Sequence, residues 1–259
     1  MLWTNKNILW VCMEVAHIKY VGSKSRIAKH IVPIIQSYID NTSANFYLEP
    51  FVGGANVIDK ISCDRKIGYD INHYLIELFK NRDRIAFLPD EITQEEYAAV
   101  RKSYQMQDGK YPDWYIGAVG FLASYNGKFF GGRAGIVKTK IGTYRNYYDE
   151  AKRNILAQLP NLQDVEFAEA DYRTLNLDRF RGGVIYCDIP YKGTTGYEND
   201  FDHDEFWKWA EQASETNVVL VSEQQAPENW RSIWSQSVKR TLDNASRQNI
   251  TENLFILSK

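Results

Sequence analysis

Apolar positions along this chain alternate between two rhythms. After the segment Ile18 to Tyr20, residues Ile27, Ile31, Ile34, Ile35 and Tyr38 recur at helical spacing, which predicts a helix from about Ser25. Phe46-Tyr47-Leu48 reads as a short apolar strand. A turn at Gly53-Gly54 and a helix through Val57, Ile58 and Ile61 follow it. Lys66 to Tyr69 forms a second strand ending at Asp70, and a helix runs on through Tyr74, Leu75, Leu78 and Phe79. Further strands are expected at Val165 to Ala168, Val184 to Cys187 and Val218 to Val221. Between these groups the texture changes. Thr93-Gln94-Glu95-Glu96 has capping-box spacing, Asp113 to Ser124 reads as helical, and Asn126 to Gly142 is rich in Gly, Lys and aromatics. The expectation is an α/β core over residues 17–80 and 161–259, interrupted by a mostly helical insert over 81–160, with 1–16 as an N-terminal extension. Strand-helix alternation implies parallel crossovers and a ligand crevice at the carboxyl ends of the strands.

Composition narrows the function classes. The 259 residues are 44% hydrophobic and 14% aromatic, enough for a sizeable core and unlike a disordered polyelectrolyte. No apolar run approaches the roughly 20 residues that span a bilayer, so no membrane role is expected. With 31 Lys+Arg against 33 Asp+Glu, the net charge of -2 rules out a globally basic nucleic-acid coat but leaves room for a local basic face. Cys12, Cys63 and Cys187 are too scattered for a disulfide framework and read as reduced thiols of a cytoplasmic protein. His17, His30, His73 and His203 show no metal-ligand spacing, so no metal is expected. The apolar stretch Ile8 to Cys12 is interrupted by Glu14 and lacks a cleavage signal, which argues against export. Met13 is an alternative start, because the informative pattern begins at Ile18.

Three short motifs carry candidate chemistry. Asp188-Ile189-Pro190-Tyr191 directly follows the apolar strand Val184-Ile185-Tyr186-Cys187. There a carboxylate can accept one hydrogen bond from a planar amino group. A residue held extended before proline can offer its carbonyl to the second amino hydrogen, and an aromatic face can stack on a base. The tetrapeptide alone equally fits a strand end turning through Ile-Pro, with Asp188 capping a helix. Glu49-Pro50-Phe51-Val52-Gly53-Gly54-Ala55 follows the first strand, and Asp70 ends the second, an arrangement suited to a nucleoside whose ribose diol meets the acid. It lacks phosphate-loop spacing and also fits an ordinary strand-to-helix turn. Lys19-Tyr20-Val21-Gly22-Ser23-Lys24 taken alone is a solvated basic turn.

In order and spacing, Lys19 to Lys24, Glu49 to Gly54, Tyr69-Asp70-Ile71-Asn72 and Asp188 to Tyr191 together resemble the Dam-type DNA adenine methyltransferases. The resemblance runs from about Ile18 to the end and is loosest in the insert. It implies a Rossmann-like methyltransferase sheet with a helical target-recognition insert, S-adenosylmethionine as cofactor and double-stranded DNA as partner. A restriction endonuclease partner is compatible with it. By position, Tyr20, Gly22 and Lys24 would line the cofactor's methionine end, and Lys19 would approach DNA. Pro50, Phe51, Gly53 and Gly54 would floor the cofactor, and Asp70 with Ile71 would take its ribose side. Asp171, with Tyr172, resembles the acid that meets the cofactor's adenine amino group, although a lone Asp after a strand also reads as a helix cap. Asp188, Ile189, Pro190 and Tyr191 would form the catalytic motif holding a flipped adenine. Two departures stand out. Ile189 replaces the family's usual proline, and Ser222-Glu223 stands where a Ser-Asn segment is common.

A local basic face is expected in the insert. Lys128, Arg133, Lys138, Lys140, Arg145, Lys152 and Arg153 face only Asp149 and Glu150 between Asn126 and Ile155. Of these, Lys128, Arg133, Lys138 and Lys140 are the candidate DNA contacts, with Phe129 and Phe130 in a hairpin or loop able to enter a groove. Asp202 and Glu205 have capping spacing flanked by Phe201 and Phe206, so Asp202-His203-Asp204-Glu205 reads as a helix start. Trp207, Trp209, Trp230 and Trp234 read as core, and Cys187 as a small buried filler. The competing functional readings are an RNA or protein-amide methyltransferase of the same fold, and a DNA-binding module with a decayed active site.

Overall fold

The computed structural model describes residues 18–191, 201–241 and 247–258; the expected extension 1–16 lies outside these residues. In chain order the elements are α1 (Ser25–Thr42), β1 (Tyr47–Glu49), β2 (Lys66–Asp70), α2 (His73–Lys80), α3 (Gln94–Met106), α4 (Asp113–Leu122), β3 (Ile136–Lys138), β4 (Tyr144–Asn146), α5 (Tyr147–Gln158), β5 (Val165–Glu169), β6 (Val184–Asp188), α6 (His203–Ser214), β7 (Val218–Glu223), β8 (Trp230–Thr241) and β9 (Arg247–Leu257). Seven strands form one sheet in the order β5-β2-β1-β6-β7-β9-β8. The first five run parallel; β9 and β8 are antiparallel additions at one edge. The parallel part is wound outward in both directions from the β1/β6 pair, which makes that pair the topological switch point.

Alternating side chains separate two cores. Tyr47, Val184, Tyr186 and Leu220 face the cluster that receives Ile27, Ile31, Ile35 and Ile39 of α1 and Leu75, Ile76 and Phe79 of α2. Leu48, Ile185, Cys187, Val219 and Val221 face the opposite cluster under α6, with Phe206, Trp207, Trp209 and Trp230. Each fully buried aliphatic side chain contributes about 1.5–3 kcal/mol, so burial on both faces, more than intrinsic strand propensity, holds these short strands in place. The expected helix through Val57, Ile58 and Ile61 is only a 3-10 turn at Ile58–Lys60. All three apolar residues are buried there, so their spacing reflects burial without a helical period.

The insert is not purely helical. It consists of α3, α4, the β3–β4 hairpin and α5. Thr93 caps α3 by accepting the Glu96 N–H at 3.1 Å, as its spacing predicts. α4 is apolar and buried from Ile116 to Leu122, and it lies so close to α2 that a Cβ on Gly117 would stand 2.2 Å from the Tyr74 carbonyl oxygen. The insert therefore shares its apolar cluster with Ile18 and Leu78 and is continuous with the core it interrupts. Phe129 and Phe130 are internal, not groove-facing. Phe130 is buried, and Phe129 packs against Tyr74 and Phe121, with ring centroids at 5.6 and 4.8 Å. The protruding hairpin is instead 136–146. The long C-terminal pair β8 and β9 has no counterpart in the strands expected from sequence, although β9 ends on the apolar run Leu254 to Leu257. Among the described residues no helix is long and apolar enough to cross a membrane.

Candidate active site

Each of the five parallel strands ends on a carboxylate: Glu49, Asp70, Glu169, Asp188 and Glu223. Parallel alignment puts these ends along one edge of the sheet, so the crevice there is strongly acidic. Such an edge favours cations, and one comes from the turn before α1. Lys24 is buried, and its Nζ lies 2.7 Å from Asp188 Oδ1, 3.9 Å from Glu252 Oε2 and 4.2 Å above the centroid of the Tyr191 ring. The Tyr191 hydroxyl donates to the same Glu252 carboxylate. Burial pushes the Asp188 carboxyl above its ordinary range, and the Lys24 ammonium opposes that shift. The motifs at 19–24 and 188–191, which are more than 160 residues apart in the chain, meet at the switch point.

The Asp-Ile-Pro-Tyr turn is anchored from below and from the side. The Ile189 side chain is buried in the cluster that contains Cys187 and Phe206. That apolar anchor gives the turn a fixed point that a ring at this position would otherwise supply. The Pro190 carbonyl accepts a hydrogen bond from His203 Nε2 at 3.0 Å, so that nitrogen carries the proton. Asp202 accepts the Glu205 N–H at 2.9 Å, and Phe201 meets Phe206 with centroids 5.8 Å apart, so the helix-start reading holds. His203 also stands 3.9 Å from Glu223 Oε2. That oxygen is buried and makes no hydrogen bond among the described residues, whereas Oε1 accepts the Gln224 N–H at 2.7 Å. Burial pushes the Glu223 carboxyl up to about 7.

On the other side of the switch point, Asp70 is buried and accepts the Gly53 N–H at 3.0 Å and the Asn72 N–H at 2.9 Å. Its burial raises the carboxyl above the ordinary value, and these backbone donors oppose the rise. Ile71, 66% exposed, presents an apolar surface beside that acid. Phe51 lies against Tyr172 at 5.3 Å between centroids. The Gly53-Gly54 turn is tight, and a Cβ on Gly54 would stand 2.9 Å from Ile18 Cγ2 and 3.0 Å from Tyr20 Cβ. Gln158, fully buried at the end of α5, stitches this loop together. Its amide donates to the Gly54 and Ala55 carbonyls at 3.1 and 3.0 Å and accepts the Ile18 N–H at 3.2 Å. A buried carboxylate at a strand end, an exposed apolar side chain beside it and an acidic crevice fit a cationic nucleoside such as S-adenosylmethionine.

Several of the expected residues have partners within the chain. Asp171 caps the 3-10 turn Tyr172–Thr174 and pairs with Arg173, which holds its carboxyl below the ordinary value; its acceptors are engaged within the chain. Lys19 pairs with Glu150 at 3.5 Å and lies 5.2 Å over the Tyr147 ring, tying the first motif to α5. Arg133, expected to contact DNA, donates to the Ile92 carbonyl at 2.8 Å and pairs with Glu91 at 3.1 Å, so it braces the insert. Arg145, Lys152 and Arg153 are likewise paired with Glu150, Asp90 and Asp149. Lys128, Lys138 and Lys140 are exposed. Sequence reasoning missed Gln158, Glu223 and Glu252. A carboxylate closing a predicted strand was an available signal for Glu223; nothing local marks the other two. No group of three or more His, Cys, Asp and Glu side chains among the described residues is arranged to hold a metal ion.

Comparison with known proteins agrees with this geometry. A family profile described as D12 class N6 adenine-specific DNA methyltransferase matches residues 20–232. The chain is 25% identical over 200 residues to the Type II methyltransferase M.FokI of Planomicrobium okeanokoites, covering 71% of this chain and 30% of that protein. It is 30% identical over 180 residues to the DNA N-6-adenine-methyltransferase of Escherichia phage P1, covering 64% of this chain and 23% of that protein. It is 25% identical over 191 residues to a DNA adenine methylase of Vibrio cholerae, covering 68% and 65%. The chain thus spans less than a third of the length of the first two relatives. The profile takes in the first motif from Tyr20 onward and the other three whole, and the chain belongs to the D12 class N6 adenine-specific DNA methyltransferase family.

Proposed function

We propose that this protein methylates the exocyclic amino group of adenine in double-stranded DNA, using S-adenosylmethionine, in the cytoplasm of a bacterial or phage-infected cell. The observation that carries the reading is the meeting of Asp188, Tyr191 and the first-motif Lys24 at the β1/β6 switch point. Asp70 would hold the cofactor's ribose hydroxyls, with Ile71, Phe51 and the Gly53-Gly54 turn around it; when bound, the cofactor supplies a sulfonium methyl group. The residues of this chain must then make a poor nucleophile reactive, because the adenine amino lone pair is delocalised into the ring. Asp188 accepts one amino hydrogen and the Ile189 carbonyl the other, which draws the nitrogen toward tetrahedral geometry and frees the lone pair. Most of the acceleration comes from orientation and a fixed electrostatic environment. The base reaches the pocket only if it is flipped out of the duplex, at a cost of about a few kcal/mol. Stacking on Tyr191 offsets part of this, on the order of 1–3 kcal/mol.

DNA would lie against the insert. The β3–β4 hairpin closes through Thr139 and Thr143, with N–H to carbonyl 2.7 Å, and its tip carries Lys138, Lys140 and Ile141, the last 87% exposed. Two cations beside an exposed apolar side chain suit phosphate contact next to a groove. Lys128 is exposed as well, whereas Arg133 is engaged by the Ile92 carbonyl and Glu91.

Tritiated methyl transfer tests the proposal. The wild-type protein is expected to label duplex DNA, and Asp188→Ala to lose that activity while still binding cofactor by calorimetry. Labelling of RNA alone, or an undiminished rate in Asp188→Ala, would overturn the assignment.

A further inference from the structure

The space that the proposed reaction gives to adenine already contains a cation. Lys24 Nζ lies 2.7 Å from Asp188 Oδ1 and 4.2 Å above the Tyr191 ring, between the acceptor for the amino group and the face for the purine. Base and ammonium cannot both take that position. A lysine withdrawn from its carboxylate in so dry a site needs another counter-charge, since an unpaired buried ammonium is strongly disfavoured. One is in place. Glu252 on β9 is buried, its Oε2 is 3.9 Å from the same Nζ, and it accepts the Tyr191 hydroxyl.

We propose that Glu252 is a positioning residue for the reaction: it fixes the Tyr191 ring through its hydroxyl and receives the Lys24 ammonium when the target base claims Asp188. Lys24 then acts as a stopper that keeps the pocket ordered and dry until a base displaces it, and Glu252 is its resting place during catalysis. The exchange needs only a short movement of one flexible side chain, and no net charge leaves the site. Glu252 reaches the pocket because β9 runs antiparallel beside β7, with Asn253 opposite Glu223. The inference rests on reading Asp188 and Tyr191 as the base pocket.

The test uses a duplex carrying 2-aminopurine in place of an adenine that the wild-type protein methylates; its fluorescence rises when the base leaves the stack. Glu252→Gln keeps an acceptor for the Tyr191 hydroxyl but removes the charge. It is expected to lower the fluorescence rise and to slow single-turnover methyl transfer at least tenfold, with cofactor affinity within twofold of wild type. Adding Lys24→Met removes the occupant and is expected to return the fluorescence to within twofold of wild type. Lys24→Met alone is expected to raise it above wild type, and this reading does not depend on how well Glu252→Gln folds. A wild-type rate in Glu252→Gln, no recovery in the double variant, or an unchanged signal in Lys24→Met would each overturn the proposal. If the wild-type protein methylates no DNA, the pocket reading fails and this inference falls with it. If it methylates DNA and Glu252→Gln does so equally fast, only the role of Glu252 is lost.

Discussion

Replacing Glu223 by glutamine isolates the energetic effect of a buried carboxyl group. Glu223 ends β7 with one oxygen bound to the Gln224 N–H and the other buried without a hydrogen bond, and burial moves its carboxyl from an ordinary 4.5 to about 7. A folded-state value above the unfolded one means that the folded protein holds its proton longer. Stability is therefore unaffected well below pH 4.5 and falls as the pH rises toward 7, where the unfolded chain is already ionised. At 1.36 kcal/mol per pH unit the full penalty is about 3 kcal/mol, with about 1 kcal/mol present at pH 5 and about 2 kcal/mol at pH 6. Glutamine keeps the shape and an acceptor for Gln224 but cannot ionise. The stability difference, variant minus wild type, is expected to grow by about 2 kcal/mol between pH 5 and pH 8, measured by urea unfolding at fixed ionic strength. Taking the difference cancels His73, Asp70 and the other groups that titrate in both proteins. A pH-independent difference, or one that grows toward acid, would refute the reasoning.

Gln158→Ala strips the five buried hydrogen bonds that its amide makes around the Gly54 loop and is expected to cost at least about 3 kcal/mol in urea unfolding, since each orphaned buried group costs about 1–3 kcal/mol; a loss under about 1 kcal/mol would show that the loop holds itself. His73 bridges Asp113 at 2.9 Å and Glu169 at 2.8 Å, and these bonds raise its pKa above the ordinary 6.5. Its stabilisation is fully present below pH 6.5 and is lost as pH rises through the raised value. Because the ring is nearly half exposed, the amount is under about 1 kcal/mol, read as the difference from His73→Gln across that range. Lys138→Gln with Lys140→Gln is expected to weaken DNA binding and to reduce the slope of log affinity against log salt by about 2, at about 0.9 for each phosphate no longer neutralised; an unchanged slope would remove the hairpin from the interface.

What the sequence determined by itself was local order and the chemistry at strand ends. Thr93 and Asp202 cap their helices through bonds to residues three positions on, and Asp70 and Asp188 close strands whose apolar cores are contiguous in the chain. Such features rest on periodicity and capping within a few residues, so they survive without knowledge of the fold. The tertiary structure alone decided which charges meet. Lys24 finds Asp188 and Glu252 across 164 and 228 positions, and Gln158 reaches back to Ile18 across 140. The basic run of the insert divided only partly in this way. Arg133 and Lys152 found Glu91 and Asp90 across 42 and 62 positions, Arg145 and Arg153 paired locally with Glu150 and Asp149, and Lys138 and Lys140 were carried outward on a hairpin. β9 went unread although Leu254 to Leu257 is a continuous apolar run, and Glu252 was missed with it, because nothing in that window shows that the strand turns back antiparallel beside β7. Pairing between distant carboxylates and cations depends on sheet order and helix docking, and neither is written within any short window of the chain.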